Sequence, residues 1–147
     1  MELNKEMIKL KQTYETKEAA IRAVGELLVA NGAVEPSYID SMLERERIVT
    51  THMGNFVAIP HGTDEGKQHV KKTAIALVTV PYGVDFAPND VEEKLAMVVF
   101  GIAGIGNEHL DLLAKIAVFC SDVDNVVRLA DATTEEEVIA MLEEAEA

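Results

Sequence analysis

Residues Asn55 to Val80 read NFVAIPHGTDEGKQHVKKTAIALVTV, and the fold turns on how this stretch divides. A short apolar run, Phe56-Val57-Ala58-Ile59, predicts a strand that stops at Pro60, which has no N–H for a ladder and restricts the residue before it. His61 follows at once, then Gly62, which has no Cβ to keep a ligand from the backbone. Polar turn residues lead to a second run, Thr73–Val80, that is apolar almost throughout. A third run, KLAMVVFGI from Lys94 to Ile102, has the same character, and such runs belong to strands buried on both faces. On these residues alone His61 has two readings, a surface-loop histidine or a group placed for chemistry at the end of a buried strand.

Working outward, Met7–Lys11 predicts a short first strand. Thr16 caps a helix with Ala20, Ala23, Val24, Leu27 and Leu28 on one face, ended by Asn31-Gly32. Pro36 suits the first turn of a second helix that turns Ile39, Met42 and Leu43 inward and closes on Glu44-Arg45-Glu46-Arg47. Pro81-Tyr82-Gly83 and Ala87-Pro88-Asn89-Asp90 are turn chemistry. Asn107 is expected to cap a long helix with Leu110, Leu113, Ala114, Ala117 and Val118 inward. Ser121 or Asp122 opens a shorter helix to Leu129, and Thr133 with Glu136 forms a capping box for a last helix with Val138, Met141 and Leu142 inward. The pattern predicts a three-layer α/β/α sandwich with a mixed central sheet, and one domain over residues 1–147.

A chain of this length buries about two-thirds of its unfolded surface, and its 48% apolar content supports a globular core. No apolar run reaches the roughly 18 residues of a membrane helix, and MELNKEMIKLKQ lacks the apolar centre of a signal peptide. Direct membrane insertion is not expected. The lone Cys120, in the apolar pattern KIAVFC, reads as a buried free thiol of a cytoplasmic protein. A net charge of −13 argues against nucleic acid and anionic membranes as partners. The charge is uneven: seven acids and no base lie from Asp131 to Ala147, but four acids face five bases from Met42 to Lys72. An anion is best tolerated around His61.

Of the four histidines, His52 and His69 lie in polar surroundings and read as surface residues. His109 falls in the first turn of the long helix, where the dipole disfavours imidazolium and backbone N–H groups attract anions. By itself it reads as a core or capping histidine. Both His61 and His109 follow the C-terminal ends of buried strands, where α/β proteins commonly gather ligands. Arg45 and Arg47 are explained equally by the dipole of the helix they end. No metal is expected, because there is no His-x-His, no His-Glu-x-x-His and no cysteine pair. No hydrolase elbow, phosphate-binding loop or dinucleotide fingerprint occurs either, and no cofactor is expected. What remains is a histidine that acts as a covalent nucleophile toward phosphorus near neutral pH.

Val57-Ala58-Ile59-Pro60-His61-Gly62-Thr63, with Leu43-Glu44-Arg45-Glu46 before it and Gly101-Ile102-Ala103 and Asn107-Glu108-His109-Leu110 after it, resembles the mannitol/fructose-type enzyme IIA of the sugar phosphotransferase system. The likeness runs from the Thr16–Asn31 helix to the C-terminal helix, so the domain looks like a single type-2 enzyme IIA. Glu-Pro-x-Tyr at Glu35–Tyr38, the Met42–Arg45 run and Asn107-Glu108-His109 make it most similar to the free-standing mannitol branch. The resemblance implies that His61 is phosphorylated, with the phosphocarrier HPr as donor and a cysteine of the enzyme IIB domain of the mannitol permease as acceptor. It implies that His109 hydrogen-bonds the phosphoryl group or His61, and that Arg45 pairs with phosphoryl oxygens. Gly62 and Thr63 would line the substrate site, Thr63 with its hydroxyl. Arg47, His52 and His69 match no catalytic position. Fructose-specific enzyme IIA, or a nitrogen-related one that acts by phosphorylation-dependent protein binding, is the alternative within the family.

Overall fold

The computed structural model describes residues 3–146. Met1 and Glu2, which open the segment read as lacking a leader, and Ala147, which ends the acidic tail, lie outside the described residues. The strands are β1 (Ile8–Lys9), β2 (His52–Gly54), β3 (Val57–Ala58), β4 (Ala74–Asp85) and β5 (Leu95–Ala103). The helices are α1 (Lys17–Ala30), α2 (Tyr38–Ile48), α3 (Glu108–Cys120), α4 (Val123–Asp131) and α5 (Glu135–Glu146). The sheet order is β1-β4-β5-β3-β2. β1 runs parallel to β4 and β3 parallel to β5, while β4 and β5 are antiparallel, as are β2 and β3. This is the mixed α/β/α sandwich expected from the apolar runs.

Alternation along the central strands explains the two helical layers. Ala76, Val78 and Val80 of β4 join Ile21, Val24 and Leu28 of α1 and Met42 of α2 in one core. Ile75 and Leu77 face the other way, with Phe100 of β5, onto Ile116 of α3, Leu129 of α4 and Leu142 of α5. Each large aliphatic side chain so buried contributes about 1.5–3 kcal/mol.

Several local expectations are corrected. Pro81-Tyr82-Gly83 lies inside β4, where the register with β5 shifts between Thr79 and Val84, an irregularity that accommodates a residue without an N–H. The His52–Gly54 strand was not expected, because His-Met-Gly contains no apolar run and it lies at the sheet edge. The strand before His61 forms ladder pairs only at Val57 and Ala58, and Phe56 takes a left-handed φ of 65°. Likewise the first strand shrinks to two residues. In α3 the inward face is Leu112, Ile116, Phe119 and Cys120, and Leu110 and Val118 are exposed. The helix contains too many apolar residues for spacing alone to choose its face. The last capping interaction falls one residue later than expected, with the Thr134 hydroxyl accepting the Glu137 N–H at 3.2 Å. Cys120 is buried and its thiol pKa is pushed up to about 12 by that burial.

Candidate functional site

Because β3 and β5 are parallel neighbours, the segments that leave their C-terminal ends emerge side by side. His61 stands three residues past β3, and its approach is held to β5 by the Ile102 N–H bonding the Pro60 carbonyl at 3.0 Å. His109 stands in the first turn of α3, reached from β5 through Gly104–Asn107. A Cβ on Gly104 would collide with the backbone of His109, so glycine is what lets the chain fold back closely enough there. The two imidazoles meet with centroids 6.3 Å apart and planes inclined by 31°.

The start of α3 is fixed by an unexpected residue. Asn107 occupies the N-cap position but makes no side-chain capping bond. Thr73, at the entry to β4, does the anchoring: its hydroxyl accepts the Ile105 N–H at 3.0 Å and donates to the Glu108 carboxylate. Asn107 instead accepts from the Lys67 ammonium at 3.4 Å.

The His61 ring is oriented by its own backbone. Nδ1 lies 2.8 Å from the Ile59 carbonyl oxygen, which only accepts, so Nδ1 carries the proton and the neutral ring keeps its lone pair on Nε2. The His61 pKa is lowered from its ordinary 6.5, first by burial and then by the charges of Arg45 and His109, against the raising effects of the Ile59 bond and Glu46. His109 is also lowered, by burial and by the Lys67 charge, although Asp64 and a bond to the Gly106 backbone oppose this. Two neutral imidazoles therefore face one another near pH 7.

Arg45, in the last turn of α2, lines with His61, Thr63 and His109 a surface depression of about 440 Å³. One guanidinium N–H donates to the Val49 carbonyl at 2.6 Å, the helix-end role open to it from sequence. The same depression takes in Ile48 and Val49, both exposed and apolar. A larger depression of about 530 Å³ beside Asn31, Lys72 and Glu143 contains neither histidine nor Arg45.

Gly62 and Thr63 lie in the same cleft, but their backbone donors are committed inward. The Gly62 N–H bonds the Tyr38 hydroxyl at 2.9 Å, and the Thr63 N–H bonds the Ser41 hydroxyl at 2.8 Å. The Thr63 hydroxyl lies 3.0 Å from that of Ser41 and accepts the Gly66 N–H at 3.2 Å. A Cβ on Gly62 would strike the Tyr38 ring. Tyr38, Ser41 and Lys67 had no assigned role from sequence. A tyrosine and a serine three apart on an otherwise apolar helical face were the available signal.

The remaining histidines are elsewhere. His52 uses both ring nitrogens within its strand region, Nε2 on the Leu95 carbonyl at 2.8 Å and Nδ1 on the Gly54 N–H at 3.1 Å. His69 pairs with the Ser37 hydroxyl at 3.1 Å. Among the described residues no cluster of three or more His, Cys, Asp or Glu is arranged to hold a metal, and no helix is long and apolar enough to cross a membrane.

A family model described as "Phosphoenolpyruvate-dependent sugar phosphotransferase system, EIIA 2" matches residues 1–145, and the chain belongs to that family. It is thus a phosphotransferase component of a sugar phosphotransferase system. The mannitol-specific phosphotransferase enzyme IIA component of Enterococcus faecalis is 56% identical over 131 residues, covering 89% of this chain and 90% of the relative. The crystal structure of IIA mannitol from Escherichia coli superposes with a TM-score of 0.89 at 39% identity, covering 97% of this chain and 99% of the other. The same fold in a complex of enzyme IIA mannitol with phosphorylated enzyme IIB mannitol from Escherichia coli gives a TM-score of 0.91 at 38% identity, covering 97% and 98%.

Proposed function

We propose that this chain, as a single type-2 enzyme IIA domain over 1–147, carries a phosphoryl group on His61 from phospho-HPr to the cysteine of a mannitol enzyme IIB in the cytoplasm. The observation that carries this reading is the single free nitrogen of His61, Nε2, beside a second neutral imidazole and in one depression with Arg45. Nε2 attacks phosphorus, its lone pair forms the P–N bond, and the bond to the donor breaks with its electrons leaving on the donor. Cysteine thiolate then forms a P–S bond as P–Nε2 breaks, and the neutral ring is regenerated with its Nδ1 proton in place.

The transferring group spreads its charge over three equatorial oxygens, so positioning and electrostatics supply the catalysis. His109 donates a ring N–H to one oxygen and Arg45 turns from the Val49 carbonyl to bind others bidentately. Gly62 supplies room, and Thr63, whose hydroxyl is engaged with Ser41 and Gly66, lines the cleft. Phosphorylation adds roughly two negative charges, which a chain of net charge −13 accommodates best in this least acidic region. The exposed apolar Ile48 and Val49 suit a modest, transient interface with basic partners.

Incubation with phosphoenolpyruvate, enzyme I and HPr is expected to add one phosphate-sized mass, lost in His61→Ala. Addition of a mannitol-class enzyme IIB should discharge it. No mass gain on the native chain would overturn the carrier reading. Discharge only to a fructose-class enzyme IIB would change the sugar, and refusal of every enzyme IIB with tight binding to a non-transport protein would make it a regulatory enzyme IIA.

A further inference from the structure

The buried phenol of Tyr38 takes no part in the chemistry above, yet it stands between the two segments that carry the histidines. Tyr38 begins α2 and is 3% exposed. Its hydroxyl donates to the Ile102 carbonyl at 2.9 Å and accepts the Gly62 N–H at 2.9 Å. The direction is fixed, because a carbonyl oxygen only accepts and an amide N–H only donates. Ile102 also bonds Pro60 through its own N–H, so the backbone is pinned to one residue of β5 immediately before and immediately after His61. Two residues beyond Ile102 lies Gly104, against which His109 is seated.

Ser41 extends the same device by one helical turn. It is 8% exposed, and its hydroxyl holds the Thr63 N–H. The strand before His61 is only two residues long, so the sheet ladder ends at Ala58. Backbone bonds from Ile59 to Thr51 and from Ile102 to Pro60 carry the chain up to His61, and from Gly62 onward the loop is held by these side-chain bonds. Burial pushes the Tyr38 pKa up to about 12, which keeps the phenol a neutral donor throughout the working range.

We propose that the hydroxyls of Tyr38 and Ser41 are positioning groups for phosphoryl transfer, which fix the backbone of Gly62 and Thr63 and thereby set His61 against His109. The inference rests on His61 being the carrier. A displacement of about 1 Å between reacting groups costs up to a hundredfold in rate, so small backbone shifts suffice. If the two residues merely fill the core, their loss lowers the melting temperature and leaves the transfer step of the folded protein alone.

The test is single-turnover transfer from the phosphorylated full chain to enzyme IIB, with Tyr38→Phe and Ser41→Ala beside the native protein. Tyr38→Phe keeps the ring and is expected to slow the transfer step about tenfold or more, and Ser41→Ala about threefold. Half-saturation by enzyme IIB should not change in either. Nitrogen-15 spectra should show the His61–His109 contact weakened and Gly62 amide exchange accelerated in Tyr38→Phe. Native transfer rates and native histidine spectra in every variant that folds would overturn the proposal. If Tyr38→Phe fails to fold, Ser41→Ala decides alone. Failure of the native chain to take up phosphate would instead sink the carrier reading, so the two failures are told apart.

Discussion

The His61 ring, with its Nδ1–H spent on the Ile59 carbonyl, lies with its centroid 6.3 Å from that of His109. Among the described residues, the hydrogen bonds to these rings come from the backbone, at Ile59 for His61 and at Gly106 for His109, and not from a carboxylate. This distinguishes the pair from hydrolytic arrangements, in which a histidine acts as base for another nucleophile and is oriented by an acid. In the proposed function the imidazole is the nucleophile itself.

Acid should switch the site off late. The folded pKa values of His61 and His109 lie below 6.5, mainly through burial, and the reacting ring must be neutral. The transfer rate is expected to hold steady from pH 8 to about 6.5 and to fall only further down, which a pH–rate profile with histidine NMR titrations would measure. For stability the sign is the same. A depressed histidine pKa stabilises the fold above the unfolded value, and that contribution is lost as pH falls through the folded value.

Arg45→Gln should separate charge from fold. Its visible bond to the Val49 carbonyl is exposed, so melting should shift by no more than about 0.5 kcal/mol in stability. Transfer should slow by about tenfold to a hundredfold through loss of a charged donor to the phosphoryl oxygens. The His61 pKa should rise, since the Arg45 charge helps hold it down. An unchanged rate would remove the assigned role.

Lys67→Met tests the other side of the cleft. The lysine lines a narrow crevice with His61, Gly62 and His109, and its pair with the exposed Asp64 is a weak surface contact at 3.6 Å. Removing its charge should raise the His109 pKa in an NMR titration, with little change in melting temperature.

Glu46→Ala should damage the fold rather than the chemistry. Its side chain is 2% exposed and receives the Thr51 N–H at 2.7 Å, the Thr51 hydroxyl at 2.6 Å and the Lys17 ammonium at 3.1 Å. Breaking such a buried arrangement from one side costs about 3 kcal/mol, to be read by urea denaturation. Burial alone would raise the Glu46 pKa, but hydrogen bonds from Thr50, Thr51 and Lys17 outweigh it and lower the value. Its stabilisation is therefore present above the unfolded pKa and is lost as pH falls through the folded one.

The layers and the central strands were legible in the sequence because burial on both faces leaves a continuous apolar run, as at Thr73–Val80. The edge strand His52–Gly54 was not, since one exposed edge asks little of composition. The face of α3 was misread because Leu110 and Val118 are apolar yet exposed, Leu110 one residue from His109. At the site, His61 and His109 could be singled out by strand ends and a helix start. The proximity of their rings could not, because it depends on the parallel pairing of β3 with β5 and on Gly104. Glu46 looked like one more charge in Glu44-Arg45-Glu46-Arg47. Its burial follows from the Thr51 backbone folding back onto it, a contact with no periodic signature.

The short Ile59–His61 hydrogen bond has a consequence for the order of events. On the proposed carrier role of His61, with one ring nitrogen tethered to the chain, cargo would enter and leave through a single atom that both macromolecules would have to reach. Supplier and recipient would then exclude one another, and no three-body assembly is expected during turnover.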